Sequence, residues 1–188
     1  TVMEYQKQVE RWGVQEIILQ GPETGNPFTE QWVRGTFSCA AQKVSVEGFY
    51  DGEGIYKVRF MPAFEMPYHF EIEASFLDGK EEGDFTVTPP LAGNHGPVHV
   101  AYTYHFAYED GTPYYPVGTT CYVWELQSEE LQEETLRELA KGYFNKIRFC
   151  VFPKHYIYNF HEPISYPYEG TPCDTSEMTE KNFGEYRT

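Results

Sequence analysis

Between residues 9 and 89 the apolar positions recur with a period of two. In Ile55-Tyr56-Lys57-Val58-Arg59-Phe60, and again in His69-Phe70-Glu71-Ile72-Glu73-Ala74-Ser75-Phe76, apolar and polar side chains alternate. That is the pattern of a strand with one face in a core and the other in water. Residues 14–20, 32–40, 54–61, 68–75 and 84–88 form short runs rich in Val, Ile, Phe and Tyr, separated by Gly, Pro, Asn and Asp. Asp51-Gly52 and Asp78-Gly79 supply the residues that tight hairpins need at positive φ, and Gly25-Asn26-Pro27 reads as a turn because Pro27 pushes Asn26 out of the helical region. Roughly six or seven strands with no helix between them predict a two-layer antiparallel sandwich whose charged residues form its solvated surface.

From Pro89 to Pro97 two glycines and three prolines interrupt this pattern, and the segment reads as a linker. His95 and His99 stand four apart, but Gly96 and Pro97 forbid the helix that would bring both onto one metal, so no metal pair is expected. Residues 98–106 and 114–122 read as strands with Asp110-Gly111 as the turn between them. Ser128 is a helix N-cap, Glu129 and Glu130 occupy the first turn, and Gly142 closes the helix. Leu136, Leu139, Ala140 and Tyr143 form its apolar stripe, with Leu131 slightly off it. Residues 144–152 form the next strand, interrupted by Lys146 and Arg148. Strand, helix and strand make a βαβ unit with parallel strands. A lone unit cannot cover both faces of its sheet, and residues 161–188 hold three prolines and no periodic segment that would complete it.

Charge narrows the partners. With 14 Lys+Arg against 29 Asp+Glu the net charge is −15, which opposes sequence-independent nucleic-acid binding and docking on anionic lipid. Aromatic residues are 18% of the chain, including 16 Tyr, which serve either as half-buried strand faces or as sugar-binding platforms. The four cysteines, Cys39, Cys121, Cys150 and Cys173, are far apart and without zinc spacing; the first three lie in apolar runs as buried thiols. No apolar run reaches the ~18–20 residues that cross a bilayer, and TVMEYQKQVERW has no signal-peptide core, so a cytoplasmic location is expected. At 188 residues the chain is too short for a complete (β/α)8 barrel of ~250 residues.

Two stretches resemble known families. Gly48-Phe49-Tyr50-Asp51-Gly52-Glu53-Gly54-Ile55-Tyr56-Lys57-Val58-Arg59-Phe60-Met61-Pro62 is similar to the signature of DUF5060, a β-sandwich domain that precedes the catalytic barrel in a group of bacterial proteins classed as glycoside hydrolases. Gly93-Asn94-His95-Gly96-Pro97, Tyr104-His105-Phe106 and the run from Asp110 to Thr120 resemble the opening of the apiosidase-like (DUF4038) barrel. The resemblance implies a mainly β chain: an Ig-like antiparallel sandwich over residues 1–92, then an incomplete βαβ portion of a (β/α)8 barrel over residues 93–188. Residues 114–120 would be its first strand, 128–141 its first helix and 145–152 its second strand.

The same resemblance implies the N-terminal portion of an O-glycosyl hydrolase. Its two carboxylates would lie on later strands beyond Thr188, leaving this chain inactive alone. Barrel sites lie at the C-terminal strand ends. There Lys154 and His155 would contact sugar hydroxyls, and Tyr122, Trp124 or Tyr156 would stack on a sugar ring; no residue here is assigned a catalytic role. The expected partner is carbohydrate, with no cofactor, and the uncovered barrel-fragment faces predict self-association. A second reading makes the sandwich a glycan-binding or structural accessory module, with Tyr50, Tyr56 or Tyr68 as its contact surface.

Overall fold

The structure is a computed structural model that describes residues 3–150. The chain forms two compact units, Thr1–Pro113 and Tyr114–Thr188. The first contains β1 (Met3–Glu4), β2 (Gln8–Glu10), β3 (Gln15–Gln20), the single-turn α1 (Pro27–Glu30), β4 (Val33–Ser38), β5 (Lys43–Glu47), β6 (Phe49–Gly52), β7 (Ile55–Phe60), β8 (Pro67–Ala74), β9 (Glu81–Thr88), β10 (Val98–Ala101) and β11 (His105–Tyr108). A two-residue strand, β12 (Pro113–Tyr114), falls at the division. The second unit contains β13 (Gly118–Thr120), a 3-10 turn at Trp124–Leu126, α2 (Glu129–Ala140) and β14 (Lys146–Arg148).

Two sheets make the body of the first unit, in the orders β1-β3-β7-β6 and β2-β9-β8-β4-β5. Period two decides what each contributes to the core. Ile17 and Leu19 from β3, Tyr56, Val58 and Phe60 from β7, Val33 and Phe37 from β4, Tyr68, Phe70 and Ile72 from β8, and Phe85 and Val87 from β9 are all buried in one cluster. Phe37 of one sheet stacks on Phe60 of the other, with centroids 4.2 Å apart and planes 7° from parallel. Gly35 makes room for this layer: a Cβ there would come within 2.8 Å of both the Phe37 ring and Val58. The buried amide of Gln15 is paired at both its nitrogen and its oxygen, donating to the Gln6 carbonyl (2.7 Å) and accepting from the Gln6 N–H (3.2 Å), which is the condition for a polar group at this depth.

One pairing departs from the antiparallel expectation. The N-terminal segment changes sheets: β1 pairs antiparallel with β3, whereas β2 pairs parallel with β9. Tyr5, between them, packs edge-on against Phe70 with centroids 4.9 Å apart.

Residues 89–97 are held rather than loose. The Leu91 N–H donates to Glu10 (2.6 Å), Asn94 Nδ2 donates to the Arg11 carbonyl (3.3 Å), and Gly96 at φ +80° lies so close to Trp12 that a Cβ would meet its ring at 2.7 Å. The expected strand over 98–106 is instead a hairpin of β10 with β11. Its turn has Tyr102 and Thr103 at φ 51° and 70°, without a glycine, asparagine or aspartate to announce it. The hairpin base is clasped by Asp110, which accepts from the Thr112 N–H (2.9 Å) and lies 2.7 Å from His95 Nδ1.

In the second unit β13 and β14 pair parallel, with α2 between them in sequence, and no barrel closes among the described residues. Both strands are shorter than predicted, although Cys121 N–H to the Arg148 carbonyl (2.8 Å) and Cys150 N–H to the Tyr122 carbonyl (2.9 Å) continue the pairing. The Ser128 hydroxyl caps α2 by accepting from the Leu131 N–H, as its sequence predicts. No residue of α2 is buried, and Leu131 and Leu136 are exposed.

Two outcomes follow from this packing. Phe37→Ala removes one half of the inter-sheet stack and is expected to lower the unfolding free energy by roughly 3–5 kcal/mol, read by urea denaturation. Asp110 is held down to about 2, first by the Thr112 N–H and then by His95. Its contribution is therefore complete above the ordinary aspartate range and lost as pH falls from there toward 2. Asp110→Asn should flatten that part of an acid-unfolding curve, whereas an unchanged acid limb would show that the clasp contributes nothing.

Candidate functional site

The C-terminal ends of two parallel strands are where an α/β arrangement presents side chains to a ligand. Here β13 runs into Cys121 and Tyr122, and β14 into Phe149 and Cys150. The register sets Thr119 beside Ile147 and Thr120 beside Arg148. At the opposite end Asn145 ties the strands together, accepting from the Val117 N–H (3.0 Å) and donating to the Tyr115 carbonyl (2.9 Å).

Of the five sugar-contact residues predicted from sequence, Tyr122 and Trp124 are placed at this end. Lys154, His155 and Tyr156 lie outside the described residues. The Arg148 guanidinium lies 5.4 Å from the Tyr122 ring centroid, within cation–π range. Trp124 meets Phe149 edge-on at 5.7 Å, and its indole N–H donates to the Gln132 carbonyl of α2 (3.1 Å). Gln132 in turn donates from its side chain to the carbonyls of Glu125 (3.2 Å) and Gln127 (2.7 Å). The indole is thus fixed by helix and turn, with its one polar hydrogen already engaged.

Sequence reasoning missed Glu125. Both of its carboxylate oxygens are buried and without a hydrogen-bond partner, and burial pushes its carboxyl above the usual range. An unpaired carboxylate away from water is costly in its charged form, so this group is held neutral more readily than a solvated glutamate. Nothing in the sequence distinguishes it from the other acidic residues of so acidic a chain. Arg148 was visible only as a polar interruption in an apolar strand.

The aromatics proposed for a glycan-binding sandwich are elsewhere. Tyr56 and Tyr68 are core residues: Tyr56 donates to the Pro22 carbonyl (2.8 Å), and the Tyr68 hydroxyl accepts from Gln42 (2.9 Å). Burial raises both phenols above their ordinary range. Tyr50 packs against the same core, 5.0 Å from the Tyr56 ring. None of the three forms an exposed platform, because the inward period of β7 and β8 claims Tyr56 and Tyr68. His95 and His99 also diverge, His95 pairing with Asp110 and His99 lying 3.6 Å from Glu109.

Comparison with known proteins bears on both units. Residues 8–75 match DUF5060, a domain of unknown function. A crystal structure of a "putative glycoside hydrolase" from Bacteroides vulgatus ATCC 8482 is similar at 43% identity and a TM-score of 0.82. The match covers 87% of this chain and 32% of that one, so the chain spans about a third of that protein's length. An engineered protein aligns at 15% identity and a TM-score of 0.34, over 48% of this chain and 20% of its own, a likeness that carries no argument. No curated protein matches.

Glu125 generates its own prediction. A carboxyl whose folded pKa is raised favours folding below its unfolded pKa, and that contribution is lost as pH rises through the folded value. Glu125→Gln should therefore leave the second unit as stable as the parent at acid pH and more stable than the parent at neutral pH. Melting curves of the two chains across that range supply the check, and parallel curves at every pH would refute it.

Proposed function

We propose that this chain is the N-terminal portion of a glycoside hydrolase, in which a β-sandwich precedes the beginning of an apiosidase-like (DUF4038) barrel. The observation that carries this reading is the 43% identity to the Bacteroides protein over 87% of the chain. The parallel pairing of β13 with β14 around α2 supports it, since strand, helix and parallel strand is the unit from which such a barrel is repeated.

In this reading Tyr122 and Trp124 form part of the rim of a sugar site. CH faces of a pyranose or furanose stack on their rings, and the fixed indole supplies a surface that does not have to be ordered on binding. Lys154 and His155 offer donors to sugar hydroxyls, and Tyr156 offers a further ring. A net charge of −15 suits a neutral glycan better than a polyanion. The acid/base and the nucleophile or base come from later strands of the barrel, and their separation, about 5–5.5 Å or about 6.5–9.5 Å, sets a retaining or inverting outcome. The exposed Leu131, Leu136 and Phe144 support association through the uncovered faces of the second unit.

The test assays two polypeptides on aryl glycosides and plant oligosaccharides: the 188-residue chain, and the full-length product of the gene that encodes it. The longer protein is expected to hydrolyse a glycoside and the shorter to hydrolyse none. Activity in the 188-residue chain, or none in the longer one on any glycoside, would overturn the reading. In the longer protein Trp124→Ala should raise KM by roughly 3- to 10-fold, the worth of one stacking contact.

A further inference from the structure

The solvent face of the five-stranded sheet carries a donor set that the sugar site does not use. Strands β8 and β9 run antiparallel, with His69 opposite Asp84 and Glu71 opposite Glu82. Their inward residues Phe70, Ile72 and Phe85 are in the core, so the period of two turns His69, Glu71, Glu82 and Asp84 outward together. His69, Glu71 and Glu82 each bring a ligand atom within 4.8 Å of the others.

The chemistry of His69 gives this cluster a direction. Its Nδ1 lies 2.9 Å from Asp84 Oδ1. An ionised carboxylate only accepts, so Nδ1 carries the hydrogen and the neutral ring presents its lone pair at Nε2. That nitrogen lies 3.6 Å from Glu82 Oε2. Tetrahedral zinc, with ligands at about 2.0–2.2 Å, holds neighbouring donors about 3.3 Å apart, so a small closure of side chains meets its geometry. A carboxylate on the far nitrogen of a ligating histidine is also the usual means of fixing ring and tautomer.

Charge points the same way. Glu71 and Glu82 face each other directly across the ladder, an arrangement of like charges that weakens strand pairing. The nearby cation, Lys80, lies 3.3 Å from Glu71 and 3.5 Å from Glu73, toward the other end of the acidic row. A divalent ion between His69, Glu71 and Glu82 would offset the repulsion that Lys80 leaves.

We propose that His69 Nε2, Glu71 and Glu82 form a zinc site on the outer face of the sandwich, with Asp84 positioning the histidine and water completing the coordination. The nitrogen donor selects zinc over magnesium and calcium, which prefer six or more oxygens. The ion would act as a cross-strand staple between β8 and β9.

The experiment is a calorimetric titration of the 188-residue chain with zinc chloride, its cysteines alkylated so that thiols do not compete. Each variant is checked for an unchanged melt in chelator. One strong site is expected, absent in His69→Gln and Glu82→Gln and weakened roughly 10- to 100-fold in Asp84→Asn. The melting temperature should rise with zinc in the parent and not in His69→Gln. Magnesium in place of zinc should give no comparable heat. The proposal falls if the parent binds no zinc, if His69→Gln binds as the parent does, or if Asp84→Asn leaves the affinity unchanged.

Discussion

The stack of Phe37 on Phe60 is the tightest ring contact among the described residues that join the two sheets of the first unit into one body. Phe70, Phe85 and Tyr68 extend it: Phe37 lies 5.8 Å from Phe70, and Tyr68 stacks on Phe85 at 5.4 Å. Rings of this size bury much area for few rotatable bonds, so a modest number of strands closes a core. The layer also imposes demands around it. Gly35 must lack a side chain, Gln15 must find its partners in the backbone of residue 6, and Tyr56 and Tyr68 must bring their hydroxyls to an acceptor or donor.

That layer explains why the sandwich was legible in the sequence. A strand buried on one face has to alternate, and β7 and β8 follow their predicted alternation residue by residue. The less legible features are those in which tertiary contact overrides local signal. The parallel β2 is three residues long and carries no signature of direction. The segment 89–97 has the composition of a linker, yet contacts to Glu10, Arg11 and Trp12 pin it, and none of those contacts is local. The hairpin of β10 and β11 turns through Tyr102 and Thr103, a tyrosine and a β-branched residue at positive φ, where propensity predicts a continuous strand. The tyrosines show the same effect in reverse. Composition allowed a sugar platform, and the register of β7 and β8 assigned Tyr56 and Tyr68 to the core.

The candidate residues at the strand ends were nominated for a different reason. Tyr122 and Trp124 follow a strand, and strand ends are where parallel architectures place function, so position alone nominated them. What holds Trp124 is the Gln132 carbonyl, eight residues away and invisible to any spacing rule. Glu125 stands out only because both of its carboxylate oxygens are shielded from water, a property of the fold. The zinc donors were hidden similarly. Helical spacing drew attention to His95 and His99, whereas His69 meets Glu82 across a ladder whose register no single strand specifies.

The two units also differ in what they can preorganise. In the first, a closed aromatic core fixes the strands, so a surface cluster such as that on β8 and β9 stands on a rigid base. In the second, none of the described residues is buried: the inner face of α2, at Gln132, Thr135 and Leu139, is only half-covered, and Tyr143 is 93% exposed. A twelve-residue helix without packing is marginal in water, and a parallel pair needs cover on both faces. A sugar site demands more, because rings and donors must be held within about 0.5 Å of their working positions. The hydrogen bonds from Gln132 and Asn145 order the strand ends locally but supply no apolar burial. The sugar contacts proposed for Tyr122 and Trp124 would therefore depend on further surface packed against α2 and the β13/β14 pair, and any sugar binding there should track how completely that surface is supplied.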